Sequence, residues 1–160
     1  MVRFLCLLFI IGSSYCLKAQ DIQIFEKFSE LEFLFEEESD SVHVINFWAT
    51  WCGPCVAELP YFVKASETFS EKAVRFSFVS LDFKKQFESK LIPFMENNDI
   101  PGKHYNLWDL NYNAWIDKVN PEWSGAIPIT IILGPKGKEF VLTSFESEKE
   151  LFDLIDKALK

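Results

Sequence analysis

Val42-His43-Val44-Ile45-Asn46-Phe47-Trp48 runs through Ala49-Thr50 into Trp51-Cys52-Gly53-Pro54-Cys55, and this junction decides the fold. The first seven residues are apolar almost throughout, which predicts a strand buried on both faces. A helix that opens near Cys52 aims its unsatisfied backbone N–H groups and its positive dipole end at the Cys52 sulfur. That setting favours the thiolate, which is the species that attacks disulfides. Pro54 is tolerated early in a helix because its missing N–H has no intrahelical partner there, and Gly53 lets a second chain approach the sulfur closely. Two intervening residues suit an intramolecular Cys52–Cys55 disulfide.

Other uses of two cysteines at this spacing fit less well. Structural zinc needs four ligands, and only Cys6, Cys16, His43 and His104 are otherwise available, at unhelpful spacings. Haem attachment needs His after the second cysteine, where this chain has Val56. A peroxide-reducing cysteine would want a Pro-x-x-x-Thr-x-x-Cys setting, but Thr50 stands only two residues before Cys52. An inert bridge remains as the bland alternative, although one so short constrains little chain.

The amino terminus has the layout of a secretory signal: Arg3, the apolar stretch Phe4 to Ile11, then small and polar residues up to Ala19. Cleavage after Ala19 separates a signal peptide, residues 1–19, from a single domain, residues 20–160. A lipid anchor on Cys16 is the alternative, with Tyr15 a poor small-residue substitute before it. Loss of nineteen residues from 160 leaves 141, a single-domain length that buries roughly 68% of its unfolded surface. Cys6 and Cys16 leave with the signal, so no third thiol remains to mispair with Cys52 and Cys55 in an oxidising compartment. The formal net charge of −8 falls by two to −10, since Arg3 and Lys18 go with no acid. Such a balance argues against nucleic acid as a partner. The 17 Phe and 5 Trp are many for this length, and most of them are expected in the core.

Further along, Ser29 followed by Glu32 predicts a capped short helix over Glu30 to Phe35. The motif helix is expected to run to about Glu71, with Val56, Leu59, Phe62 or Val63, and Phe69 facing inward and a kink at Pro60. Val74 to Leu81 alternates as a second strand, and Lys84 to Asn97 reads as a helix with Pro93 near its end. A short strand over Gly102 to Leu107 and a helix over Asn111 to Val119 follow. Ala126 to Leu133 is a β-branched strand, joined through Gly134-Pro135-Lys136-Gly137 to a hairpin partner, Phe140 to Phe145. Glu148 to Lys160 closes as an amphipathic helix with Leu151, Phe152, Leu154, Ile155 and Leu159 inward. The order implies an α/β fold, a central mixed sheet with helices on both faces.

With Phe47-Trp48-Ala49-Thr50-Trp51-Cys52-Gly53-Pro54-Cys55 at the first strand–helix junction, the chain resembles the thioredoxin fold. Asn46 before Phe47-Trp48, and Cys55-Val56-Ala57-Glu58-Leu59-Pro60 after it, resemble exported thiol–disulfide oxidoreductases of the TlpA/ResA type over roughly residues 42 to 145. The resemblance implies a protein-disulfide reductase in which Cys52 attacks and Cys55 resolves. Thioredoxins proper place a buried Asp where this chain has Asn46; Glu58, three residues after Cys55 on one helical face, resembles the replacement proton acceptor of the TlpA/ResA relatives. Ile127-Pro128 resembles the family's cis-proline, whose bend exposes the Ile127 backbone to an extended substrate strand. Trp51, Gly53, Pro54, Ile127 and Pro128 are therefore the expected substrate-binding residues. One departure is that Thr130 stands one place later than the Thr that often follows this proline in relatives.

The resemblance further implies disulfide-bearing exported proteins as substrates, with apocytochrome c among the candidates, and a periplasmic location. It implies no organic cofactor or metal, and a membrane electron-transfer protein for re-reduction. Gly53-Pro54 is the thioredoxin dipeptide, which points to reduction. Oxidase or isomerase activity, and a non-catalytic secreted binding module, are the alternatives. His43 and His104 read as structural, and Trp108, Trp115 and Trp123 as core or rim aromatics near the substrate groove.

Overall fold

The computed structural model describes residues 21–36 and 40–160. The expected signal segment, residues 1–19, lies outside them. β2 (Val42–Trp48) sits at the middle of a six-stranded sheet and is buried along its whole length. Its alternate side chains enter two separate cores. Val42, Val44 and Trp48 point to one face, and Ile45 and Phe47 to the other, so the apolar run needs cover on both sides.

β3 (Val74–Ser80) pairs parallel to one edge of β2, with β4 (Lys103–Leu107) parallel beyond it. β5 (Ile129–Gly134) pairs antiparallel to the other edge, and β6 (Gly137–Val141) returns from it. The hairpin register closes at Gly134 opposite Gly137, with Pro135-Lys136 as the two turn residues. Gly137 takes φ +126°, a conformation that a side chain would resist. The strand order β1-β4-β3-β2-β5-β6 gives the mixed sheet that the sequence implied.

α1 (Gly53–Thr68), α2 (Ile92–Asn97) and α4 (Glu148–Ala158) cover one face of the sheet. The other face is covered by two 3-10 turns, Phe28–Glu30 and Glu32–Phe35, and by α3 (Ile116–Val119) with Trp115 and Trp123. Phe28 stacks on Trp115 with ring centroids 5.0 Å apart. Trp115 and Trp123 thus belong to the core, whereas Trp108 is half-buried at the rim.

Several expected boundaries move. β1 (Ile22–Phe25) gives no sequence signal, being four residues long with an irregular burial pattern; it exists because it pairs parallel to β4 at the sheet edge. Ser29 does not cap a helix. Instead Glu30 reaches back to the backbone N–H groups of Glu26 and Lys27, each at 3.0 Å, and tight 3-10 turns replace the expected helix. α1 ends at Thr68 rather than Glu71, and continues through Pro60. Its buried face is Cys55, Glu58, Leu59, Phe62 and Ala65, with Val56 and Val63 only half-buried.

The single helix expected over Lys84 to Asn97 is broken into a 3-10 turn (Lys84–Gln86), a wide π turn (Phe87–Leu91) and α2. Proline explains the division. Pro93 cannot donate and its ring crowds the carbonyl four residues back, so the chain widens before it, with Ile92 N–H donating to the Phe87 carbonyl, and Pro93 stands in the first turn of α2. The helix expected over Asn111 to Val119 is likewise a 3-10 turn (Tyr112–Ala114) plus α3. β5 starts at Ile129, after Pro128, rather than at Ala126, and its partner is Gly137–Val141 rather than Phe140 to Phe145.

Candidate active site

Cys52 is the N-cap residue of α1, and its Sγ accepts the Cys55 backbone N–H at 3.3 Å. One of the helix's orphan donors is thereby aimed at the sulfur, as a strand–helix junction at this position requires. Cys52 and Cys55 are joined as a disulfide with their Cα atoms 5.3 Å apart. The two sulfurs differ in access: Cys52 is 7% exposed, and Cys55 is fully buried. An incoming sulfur can reach only Cys52.

Trp51 beside it is 52% exposed, and Gly53 and Pro54 are also at the surface. A Cβ added at Gly53 would meet nothing within 4 Å, so the approach over the motif is open. Ile127-Pro128 is a cis peptide, and the Ile127 carbonyl oxygen lies 3.6 Å from Cys52 Sγ. The late loop therefore stands directly against the Cys52 sulfur, with Ile127 half-buried between the two cores.

Glu58 is 1% exposed. Its Oε1 accepts from Asn46 Nδ2 at 3.0 Å, and its Oε2 accepts from the Phe145 backbone N–H at 2.9 Å. Burial pushes its pKa up to about 7, against the partly compensating hydrogen bonds from Phe145 and Asn46. Asn46 Nδ2 also donates to Thr130 Oγ1 at 3.0 Å, so β2, β5 and α1 are tied together under the motif. Thr130 is wholly buried and serves this network.

A second polar cluster braces the loop before Cys52. Asp82 is fully buried and accepts the Thr50 backbone N–H at 2.9 Å, the Thr50 hydroxyl at 2.5 Å and the Ser80 hydroxyl at 2.8 Å. Asn106 on β4 donates to the carbonyls of Ser80 and Asp82, each at 3.0 Å. Sequence reasoning passes over Asp82 and the Phe145 N–H, and notes Thr130 without its tie to Asn46, since none lies near the cysteines in the chain. The one local hint is an Asp directly after an apolar strand. His43 and His104 are buried, bonding to Ser77 Oγ at 2.8 Å and to the Ile100 carbonyl at 2.9 Å, away from the motif.

The Redoxin family model matches residues 32–105, which include the motif, α1 and β3. ResA, the thiol–disulfide oxidoreductase of Oceanobacillus iheyensis, is 51% identical over 39 residues, 24% of this chain and 20% of that protein. ResA of Bacillus anthracis is 28% identical over 111 residues, 66% of this chain and 56% of that protein. A solved thioredoxin-family thiol:disulfide interchange protein from Chlorobium tepidum superposes with a TM-score of 0.59 at 20% identity, over 76% of this chain and 82% of that one. The chain has the thioredoxin fold, and its motif segment is similar to that of the ResA thiol–disulfide oxidoreductases. It spans 20% and 56% of the lengths of the two ResA relatives. Within this thioredoxin fold the Cys52–Cys55 pair occupies the junction of β2 and α1, and the Glu58–Asn46–Thr130 cluster ties α1, β2 and β5 together there.

Proposed function

We propose that this chain is an exported thiol–disulfide oxidoreductase that reduces disulfides of other exported proteins. The observation that carries the reading is the pairing of an accessible N-cap sulfur with a buried one, above a carboxylate whose pKa is about 7. In the reduced protein the Cys52 thiolate attacks a target disulfide, forming a mixed disulfide and releasing one target thiolate. Glu58 then takes the Cys55 proton, and the Cys55 thiolate attacks Cys52 Sγ. The second target thiolate leaves, and the Cys52–Cys55 disulfide returns. A carboxylate that titrates near neutrality suits this proton exchange.

Trp51, Gly53 and Pro54 form the open floor on which the target lies, and the Ile127-Pro128 loop holds the target backbone beside Cys52. Apocytochrome c before haem attachment is among the exported targets that fit. Turnover draws electrons from a membrane electron-transfer protein, and the signal-like residues 1–19 support export to the periplasm.

The reduction potential of the Cys52–Cys55 pair tests the direction, followed by Trp fluorescence in redox buffers because Trp48 and Trp51 flank the pair. A value near or below about −250 mV is expected of a reductase, whereas one above about −150 mV would reassign the chain as an oxidase. Insulin reduction by the wild type and not by Cys52→Ser is expected; equal rates would leave only a binding module.

A further inference from the structure

Five large apolar side chains stand exposed among the described residues, and three of them, Trp51, Phe83 and Leu110, belong to the Cys52 end of the molecule. The Phe83 ring lies nearly parallel to that of Trp51, with centroids 6.3 Å apart and planes 13° from coplanar. Phe83 is 39% exposed and Leu110 62% exposed. Between them opens a cavity of about 430 Å³ with a floor of Leu81, Leu107 and Trp108. At one end Lys84 Nζ sits 4.5 Å over the Trp108 ring and 3.0 Å from Glu26. Both partners of that ion pair are well exposed, so it closes the groove only weakly.

We propose that this groove receives an apolar side chain of the polypeptide whose disulfide Cys52 attacks, and so selects substrates by the residue next to their cysteine. The inference rests on the oxidoreductase reading above and adds a specificity site to it. The groove adjoins the motif through Phe83, which lines it and stacks on Trp51, the residue before Cys52. Cys52 is nearly buried, so a target that brings a sulfur to it must lie across Trp51. The residues that follow on that side then fall on Phe83 and Leu110. The cavity is of a size to take one or two side chains, and its walls offer apolar surface that water covers poorly. A small disulfide reaches Cys52 without touching it, which separates the two kinds of substrate.

The test uses the reduced full chain and two short disulfide-bonded peptides that differ only in carrying Phe or Ser beside the cysteine, with hydroxyethyl disulfide as the reference for exchange at Cys52. The wild type is expected to react about tenfold or more faster with the Phe peptide. Leu110→Ser and Phe83→Ser are each expected to bring that ratio towards one, with rates normalised to hydroxyethyl disulfide. Leu110 is the more exposed residue, so its variant carries the test if Phe83→Ser does not fold. Equal wild-type rates for the two peptides would overturn the proposal, as would a preference that survives both substitutions. A groove occupied by a second copy, seen as a dimer that Leu110→Ser dissociates in sedimentation, would also overturn it. Absence of exchange with hydroxyethyl disulfide as well would instead remove the oxidoreductase reading beneath it.

Discussion

A proton arriving at Glu58 finds a donor already facing each oxygen, the Phe145 N–H at Oε2 and Asn46 Nδ2 at Oε1. The backbone donor is fixed, but an amide side chain can turn over. Protonation therefore falls on Oε1 and requires Asn46 to present Oδ1 instead, which then also accepts from the Thr130 hydroxyl. Glu58→Gln mimics that protonated arrangement and keeps every partner, so the variant should fold while losing the base. Resolution of a mixed disulfide by Cys55 is expected to slow by about 10²-fold, and its rise through pH 7 to flatten, in stopped-flow measurements. Stability gives an independent check. Folding raises the Glu58 pKa from 4.5 to about 7, so its contribution is full below pH 4.5 and is lost as pH rises through 7. Between pH 4 and pH 8 the wild type should lose about 3 kcal/mol relative to Glu58→Gln in urea denaturation of the oxidised form.

The elements carry their own lesson in the loop from β2 to α1. Asp82, just past β3, accepts three hydrogen bonds, two of them from Thr50. Asp82→Ala would strand those donors and is expected to cost roughly 1–3 kcal/mol, with Cys52 alkylation in the reduced protein also altered because the loop before it loses its brace. The same variant read by urea denaturation alone would report only the first effect. Central elements were legible because burial dictates their composition: Val42–Trp48 is apolar since both faces are covered, and α4 shows its inward stripe at Leu151 and Ile155. Edge elements were not. Ile22–Phe25 becomes a strand only through β4, and the Phe87–Leu91 widening is a response to Pro93 that propensity alone does not display. The site divides similarly. Cys52, Cys55 and Glu58 fall within seven consecutive residues and could be read locally, whereas Asn46 and Phe145 meet Glu58, and Thr130 meets Asn46, only through the tertiary fold.

The whole molecule is one sheet with an apolar core on each side, and β2 and β3 contribute residues to both. Neither core can melt without exposing the sheet that the other needs. Urea transitions followed by Trp fluorescence and by far-ultraviolet circular dichroism should therefore coincide; separated midpoints would show that the two faces unfold independently. The Phe145 N–H that holds Glu58 comes from the chain between β6 and α4, 87 residues after it. A ribosome adding 5–20 residues per second needs roughly 4 to 17 seconds to cover that distance. During that interval the two cysteines have been made but the carboxylate beside them is not yet sheltered, so the nascent chain carries an ordinary dithiol. Its tuned chemistry is acquired late, as a property of the finished fold, and a chain that stalls short of Phe145 has the motif without the tuning.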